Sequence, residues 1–196
     1  MYAYIKGKIV EKTNSYVVIE NNGIGYRIFM TITSINKIEE DIKIYTYYQV
    51  REDNISLYGF LQKEELRMFE LLLSISGVGA KSAVAMLSSI TPSEFAMAII
   101  QNDTSKLVKI QGVGAKTAAR IVLELKDKLK TEEVITESDI KVKEIIKNEE
   151  EVEEAVQALQ ILGYNKKDIN KALENINMKE LELQDIIKKA LVILSK

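Results

Sequence analysis

The sequence predicts an α+β chain of three units in a row: a five-stranded β-barrel, an all-helical middle, and a small three-helix unit. Three observations predict it. The first sixty residues are rich in Ile, Val, Tyr and Phe with polar residues interleaved, the pattern of half-buried strands. From Gln62 the apolar period becomes helical. A charged stretch then separates the middle from a final block with apolar stripes of its own.

Strands are expected over 4–12, 15–20, 24–30, 42–50 and 55–60. Their breaks hold turn formers, Thr13-Asn14 and Asn21-Asn22-Gly23, with a further glycine at Gly25. A helical turn fits near 31–38. Five such strands suit an oligonucleotide/oligosaccharide-binding (OB) barrel, although the residues alone leave other small barrels open.

Leu66, Phe69, Leu72 and Leu73 then fall at helical spacing. Thr91-Pro92-Ser93-Glu94 reads as a helix start: a capping hydroxyl, proline at the first helical position and a reciprocal glutamate. The charged, β-branched segment 132–148 reads as a linker between a middle unit, 63–131, and a last unit, 149–196. In the last unit Val152, Ala155, Val156 and Leu159 form one stripe, ended by Gly163. Ile169, Ala172, Leu173 and Ile176 form a second, and Ile186, Ile187, Ala190, Leu191 and Leu194 a third.

Composition removes whole classes of chemistry. The chain has 196 residues, 46% of them hydrophobic, with one proline, no cysteine and no histidine. Thiol catalysis, disulfides, cysteine-ligated metal and a histidine base are excluded, and a proline-rich disordered chain does not fit. The start, Met1-Tyr2-Ala3-Tyr4-Ile5-Lys6-Gly7-Lys8, lacks a signal-peptide layout. No apolar run approaches the ~20 residues of a membrane span. The expectation is a cytoplasmic protein without membrane contact, catalytic residue, metal or cofactor. The net charge of −2 divides unevenly. Residues 1–62 carry seven basic and seven acidic side chains, 63–130 carry ten and seven, and 131–196 carry ten and fifteen. Only the middle can offer a phosphate surface.

The middle also contains a repeat. Leu72-Leu73-Ser74-Ile75-Ser76-Gly77-Val78-Gly79-Ala80-Lys81-Ser82-Ala83 recurs 35 residues later as Leu107-Val108-Lys109-Ile110-Gln111-Gly112-Val113-Gly114-Ala115-Lys116-Thr117-Ala118. Each copy reads as a helix, a Gly-Val-Gly turn and a second helix. The valine can anchor the turn, while the glycines let backbone N–H groups and the second helix's N-terminus approach a phosphate. Lys81 and Lys116 would reinforce that contact. Arg120 adds a charge in the second copy, where the first has Ala85. This is the helix-hairpin-helix pattern, which binds DNA backbone without reading bases, and Gly77, Gly79, Lys81, Gly112, Gly114, Lys116 and Arg120 are its candidate DNA-binding residues. A dinucleotide site fails because no strand precedes either turn and a later glycine is missing. A P-loop fails because it needs four residues between its glycines.

With these residues in view, the whole chain resembles the RuvA family of Holliday junction branch-migration subunits. The resemblance runs through Gly23-Ile24-Gly25-Tyr26, Val50-Arg51-Glu52-Asp53, Leu57-Tyr58-Gly59-Phe60, both hairpins and Leu162-Gly163-Tyr164. It implies a homotetramer whose barrels surround the centre of a four-way DNA junction while paired hairpins grip each arm. One or two tetramers per junction, the second making an octamer, are both open. Lys81, Lys116 and Arg120 match the family's phosphate-contacting positions, and Ala115 departs from relatives with a second lysine there. Glu52 and Asp53 match the family's acidic pin; on their own residues they read more readily as a solvated turn. The last unit resembles the domain that recruits the hexameric ATPase RuvB, and its Leu-Gly-Tyr turn also resembles ubiquitin-associated (UBA-like) domains. Leu159, Leu162, Tyr164 and Leu191 become candidates for an apolar partner surface, with Leu159 and Leu191 equally readable as core. The resolvase RuvC is a further candidate partner.

Two readings of other classes stay open. Some helix-hairpin-helix glycosylase/lyases place a Schiff-base lysine where Lys116 stands, but they need an aspartate about 18 residues later, and position 134 is Val134. A hairpin module that serves only as a protein scaffold is the other.

Overall fold

The computed structural model describes residues 1–133, 149–178 and 181–195. The expected linker, 132–148, falls almost wholly outside them. Its first two residues instead complete a long helix that runs to Glu133.

Five strands form a closed barrel: β1 (Tyr4–Lys12), β2 (Tyr16–Asn21), β3 (Ile24–Phe29), β4 (Asp41–Val50) and β5 (Ile55–Phe60), in the order β1-β2-β3-β5-β4. Neighbours are antiparallel, except that β3 and β5 run parallel where Phe29 faces Tyr58. Asn22 and Gly23, at φ +49° and +81°, make the tight turn between β2 and β3. Two central residues of positive φ match the twist of a hairpin, which explains the Asn-Gly pair. Ile5, Val17, Ile19, Ile28, Met30 and Ile44 fill the interior, and Ile35 and Ile38, at and beyond the short helix α1 (Ile32–Ile35), complete it.

The barrel meets the helices through aromatic packing. Phe69 of α2 (Lys63–Leu73) has Tyr47, Tyr58 and Phe60 rings at 5.2, 5.2 and 4.9 Å. These separations suit tilted and edge-on aromatic contacts, so the barrel's orientation on α2 is set by shape as well as by apolar burial. The middle continues with α3 (Ala80–Leu87), α4 (Pro92–Ile100), α5 (Thr104–Val108) and α6 (Ala115–Glu133). Thr91 caps α4 as its sequence predicts: the Glu94 N–H donates to the Thr91 hydroxyl, and the Glu94 carboxylate accepts the Thr91 N–H at 3.0 Å. The Thr91 hydroxyl also donates to Glu94 Oε2 at 2.6 Å, and this bond first, then the one from the Thr91 N–H, holds the Glu94 carboxyl below its ordinary pKa.

The last unit is a three-helix bundle, α7 (Glu149–Ile161), α8 (Lys166–Glu174) and α9 (Leu183–Leu194). Gly163, at φ +82°, ends the first of these helices, and the Tyr164 N–H returns to the Leu159 carbonyl. The bundle is docked on the middle. Helix α7 lies against α4 and α6, α9 lies against α4, and Ala96 of α4 belongs to the bundle's core. Among the described residues no single helix is long and apolar enough to cross a membrane.

Candidate nucleic-acid interface

The two repeat copies fold into the same turn. Ile75 and Val78 are buried beneath the first, Ile110 and Val113 beneath the second. The Val78 N–H donates to the Ile75 carbonyl at 3.1 Å, and Val113 to Ile110 at 3.0 Å. Gly77 and Gly112 close these turns at φ +86° and +84°, the left-handed region in which a side chain is strained. The following helices start alike, with Ala83 bonded to Gly79 and Ala118 to Gly114, both at 2.9 Å. The sequence's assignment of the valine as turn anchor therefore matches the packing.

Gly79 and Gly114 differ from the other pair. Neither has a positive φ, and a Cβ built on either meets nothing within 4 Å. Nothing inside the protein demands glycine there. A side chain would stand in the open mouth of the turn, where α3 begins without a side-chain cap. Close approach of an anion to unclaimed N–H groups is what the missing Cβ permits. Lys81 and Lys116 are exposed in the first turns of α3 and α6.

Arg120 is exposed one turn further on, and its placement adds to the sequence reading. Its Nη1 donates to the Ser76 carbonyl of the first hairpin at 3.2 Å. The cation assigned to the second copy thus also reaches the first.

Glu52 and Asp53 lie exposed at the tip of the β4–β5 hairpin, closed by the Arg51 N–H donating to the Asn54 carbonyl at 2.8 Å. Asn54 Nδ2 donates to Ser56 Oγ at 3.0 Å, which stiffens the descending side. No group of three or more potential metal ligands occurs among the described residues.

The candidates for an apolar partner surface lie inside the fold. Leu159, Leu162, Tyr164 and Leu191 are all buried, between 0% and 8% exposed, because their stripes face the bundle core and the docked middle unit. Val192 and Ile193, on the last turn of α9, are the unit's exposed large aliphatic side chains among the described residues. Tyr164 reaches across to α2: its hydroxyl donates to Glu64 Oε1 at 3.0 Å, and the Arg67 guanidinium lies 4.0 Å from its ring centre. Burial first, then the Glu64 charge, push the Tyr164 pKa well above the ordinary tyrosine value. Sequence reasoning missed Glu64 and Arg67. The signal for Glu64 was its place four and eight residues before Met68 and Leu72, a carboxylate on the buried stripe of α2.

A barrel with an acidic tip, packed on a helical unit that carries two open glycine turns flanked by lysines, defines a protein of the DNA-binding class. Comparison with known sequences makes this specific. Residues 1–59 match the RuvA N terminal domain, 69–127 the SAM-like helix-hairpin-helix tandem, and 150–195 the RuvA C-terminal domain. Relatives named Holliday junction branch migration complex subunit RuvA include those of Acetivibrio thermocellus, 55% identical over 68% of each chain, and Ruminiclostridium cellulolyticum. The latter is 50% identical over 68% of this chain and 69% of its own. The chain belongs to the RuvA family.

Proposed function

We propose that this protein binds four-way DNA junctions without reading sequence, holds them open, and presents them to a RuvB-type hexameric ATPase for branch migration. The observation that carries the reading is the pair of matched turns in which Gly79 and Gly114 leave open mouths beside Lys81 and Lys116. A backbone grip of this kind suits a substrate whose every base pair must pass through the same hold. Subunits assemble as a homotetramer in the cytoplasm, with the four Glu52/Asp53 tips meeting at the junction centre. Carboxylates there repel phosphate by about 1 kcal/mol per pair at 4 Å in water, and more where water is excluded. Such repulsion keeps exchanging strands apart without anchoring them. The last unit carries the motor contact, and RuvC acts on the same bound junction.

The test is a titration of a synthetic four-way junction against duplex of equal length over a salt series. Junction preference with a steep fall in affinity as salt rises is expected. Equal affinity for both forms overturns the reading. Absence of DNA binding at low salt favours a scaffold, and a borohydride-trapped adduct on abasic DNA favours a lyase acting through Lys116.

A further inference from the structure

The two hairpin turns share their internal geometry but not their neighbours. We propose that Glu124 is a positioning residue: together with Arg120 it braces the first hairpin turn from α6 and so fixes the spacing of the two open mouths. This rests on the reading of those mouths as phosphate grips.

Glu124 Oε2 accepts the Ser76 N–H at 3.3 Å, while Arg120 Nη1 donates to the Ser76 carbonyl at 3.2 Å. The two side chains are four residues apart on one helix and project from the same face. They hold the peptide units on both sides of Ser76, the residue immediately before Gly77 at φ +86°. Neither peptide can rotate without breaking one of these bonds. The turn that glycine makes permissive is thereby restrained from outside.

The repeat offers no reciprocal brace. The residue matching Ser76 is Gln111, and those matching Arg120 and Glu124 are Ala85 and Ser89. Ala85 has no donor, and the Ser89 hydroxyl donates to the Ala85 carbonyl at 3.2 Å. The long helix α6 therefore both opens the second mouth and holds the first, so a duplex spanning both meets one rigid element. Arg120 keeps capacity for phosphate, since a guanidinium carries five N–H donors and the bond to Ser76 uses one. Glu124 itself repels DNA by its charge. A carboxylate beside a phosphate surface is explained by the N–H it accepts.

The sign of that conflict gives the test. Glu124→Gln removes the charge and keeps an acceptor, whereas Glu124→Ala removes both. In the full chain, Glu124→Gln is expected to bind a four-way junction as tightly as the unaltered protein or more so. Glu124→Ala is expected to bind about threefold to tenfold more weakly than Glu124→Gln, since both lose the charge and only the alanine loses the worth of one hydrogen bond. Amide exchange at Ser76 should quicken in Glu124→Ala and stay slow in Glu124→Gln. Equal effects of the two variants on affinity, in either direction, overturn the brace. Lys116→Ala serves as the reference: if it weakens binding while the Glu124 pair behave alike, the brace alone is discarded. If Lys116→Ala also leaves binding unchanged, the phosphate-grip reading fails with it.

Discussion

The barrel's acidic tip and the hairpins' glycine turns are both exposed loops, yet they are built on opposite terms. The tip is a β-hairpin end whose two carboxylates point outward from a turn closed by one backbone bond. The glycine turns are pinned from below by Ile75 and Val78, or Ile110 and Val113, and leave open space at Gly79 and Gly114. One loop offers charge on side chains; the other offers a bare backbone with lysines at its edge. Under the proposed function, the difference teaches that attraction depends on geometry fixed by a buried core, while repulsion needs only placement.

That contrast can be tested at its strongest point first. Lys116→Ala with Arg120→Ala should weaken binding to junction and duplex alike by roughly thirtyfold, about 2 kcal/mol of charge-assisted bonding. The salt dependence should flatten with it. A titration in which only junction binding suffers would mean these side chains read shape and do not merely hold phosphate.

The glycine pairs come next, because they separate fold from function. Gly112→Ala places a side chain at φ +84° and should cost about 1–2 kcal/mol of stability, seen as a melting temperature lower by roughly 2–8 °C. Gly114→Ala meets open space, so its melting curve should stay near that of the unaltered protein while DNA affinity falls about tenfold, from lost close approach. Intact affinity in Gly114→Ala would show that the open mouth is not where the backbone docks.

Neutralising the tip should do the reverse. With Glu52→Gln and Asp53→Asn, duplex affinity should rise a few-fold, roughly what removal of a solvent-screened repulsion allows, and junction selectivity should shrink. Weaker duplex binding by this double variant counts directly against repulsion.

The smallest change in DNA affinity belongs to Tyr164→Phe, which lies far from both kinds of loop. It leaves the Glu64 carboxylate without its tyrosine partner in a buried site and should cost about 1–3 kcal/mol of stability. Junction affinity should not move. A large shift would tie the last unit's docking to the grip.

Much of this architecture was legible in the residues. The strands fell within about a residue of their expected limits because alternation, Asn-Gly and Thr-Asn are local signals. Thr91-Pro92-Ser93-Glu94 and the 35-residue repeat were readable for the same reason. What could not be read were contacts between distant parts of the chain. Tyr164 and Glu64 are 100 residues apart, and periodicity reports which face of a helix is apolar without naming what covers it. Leu159 and Leu191 looked equally like core or surface for that reason. Arg120 was placed on the right helix, but its reach to Ser76 depends on how one copy of the repeat packs on the other.

The contact of Tyr164 with Glu64 and Arg67 joins two parts of a single chain, so its occupancy does not depend on protein concentration. Tethered domains typically experience one another at about millimolar effective concentration. A contact too weak to form between separate molecules can therefore remain made in the intact chain. The same arithmetic governs competition for that face of the last unit. A rival protein present at about micromolar concentration must bind it roughly a thousandfold more tightly than the intramolecular contact does to displace it half the time.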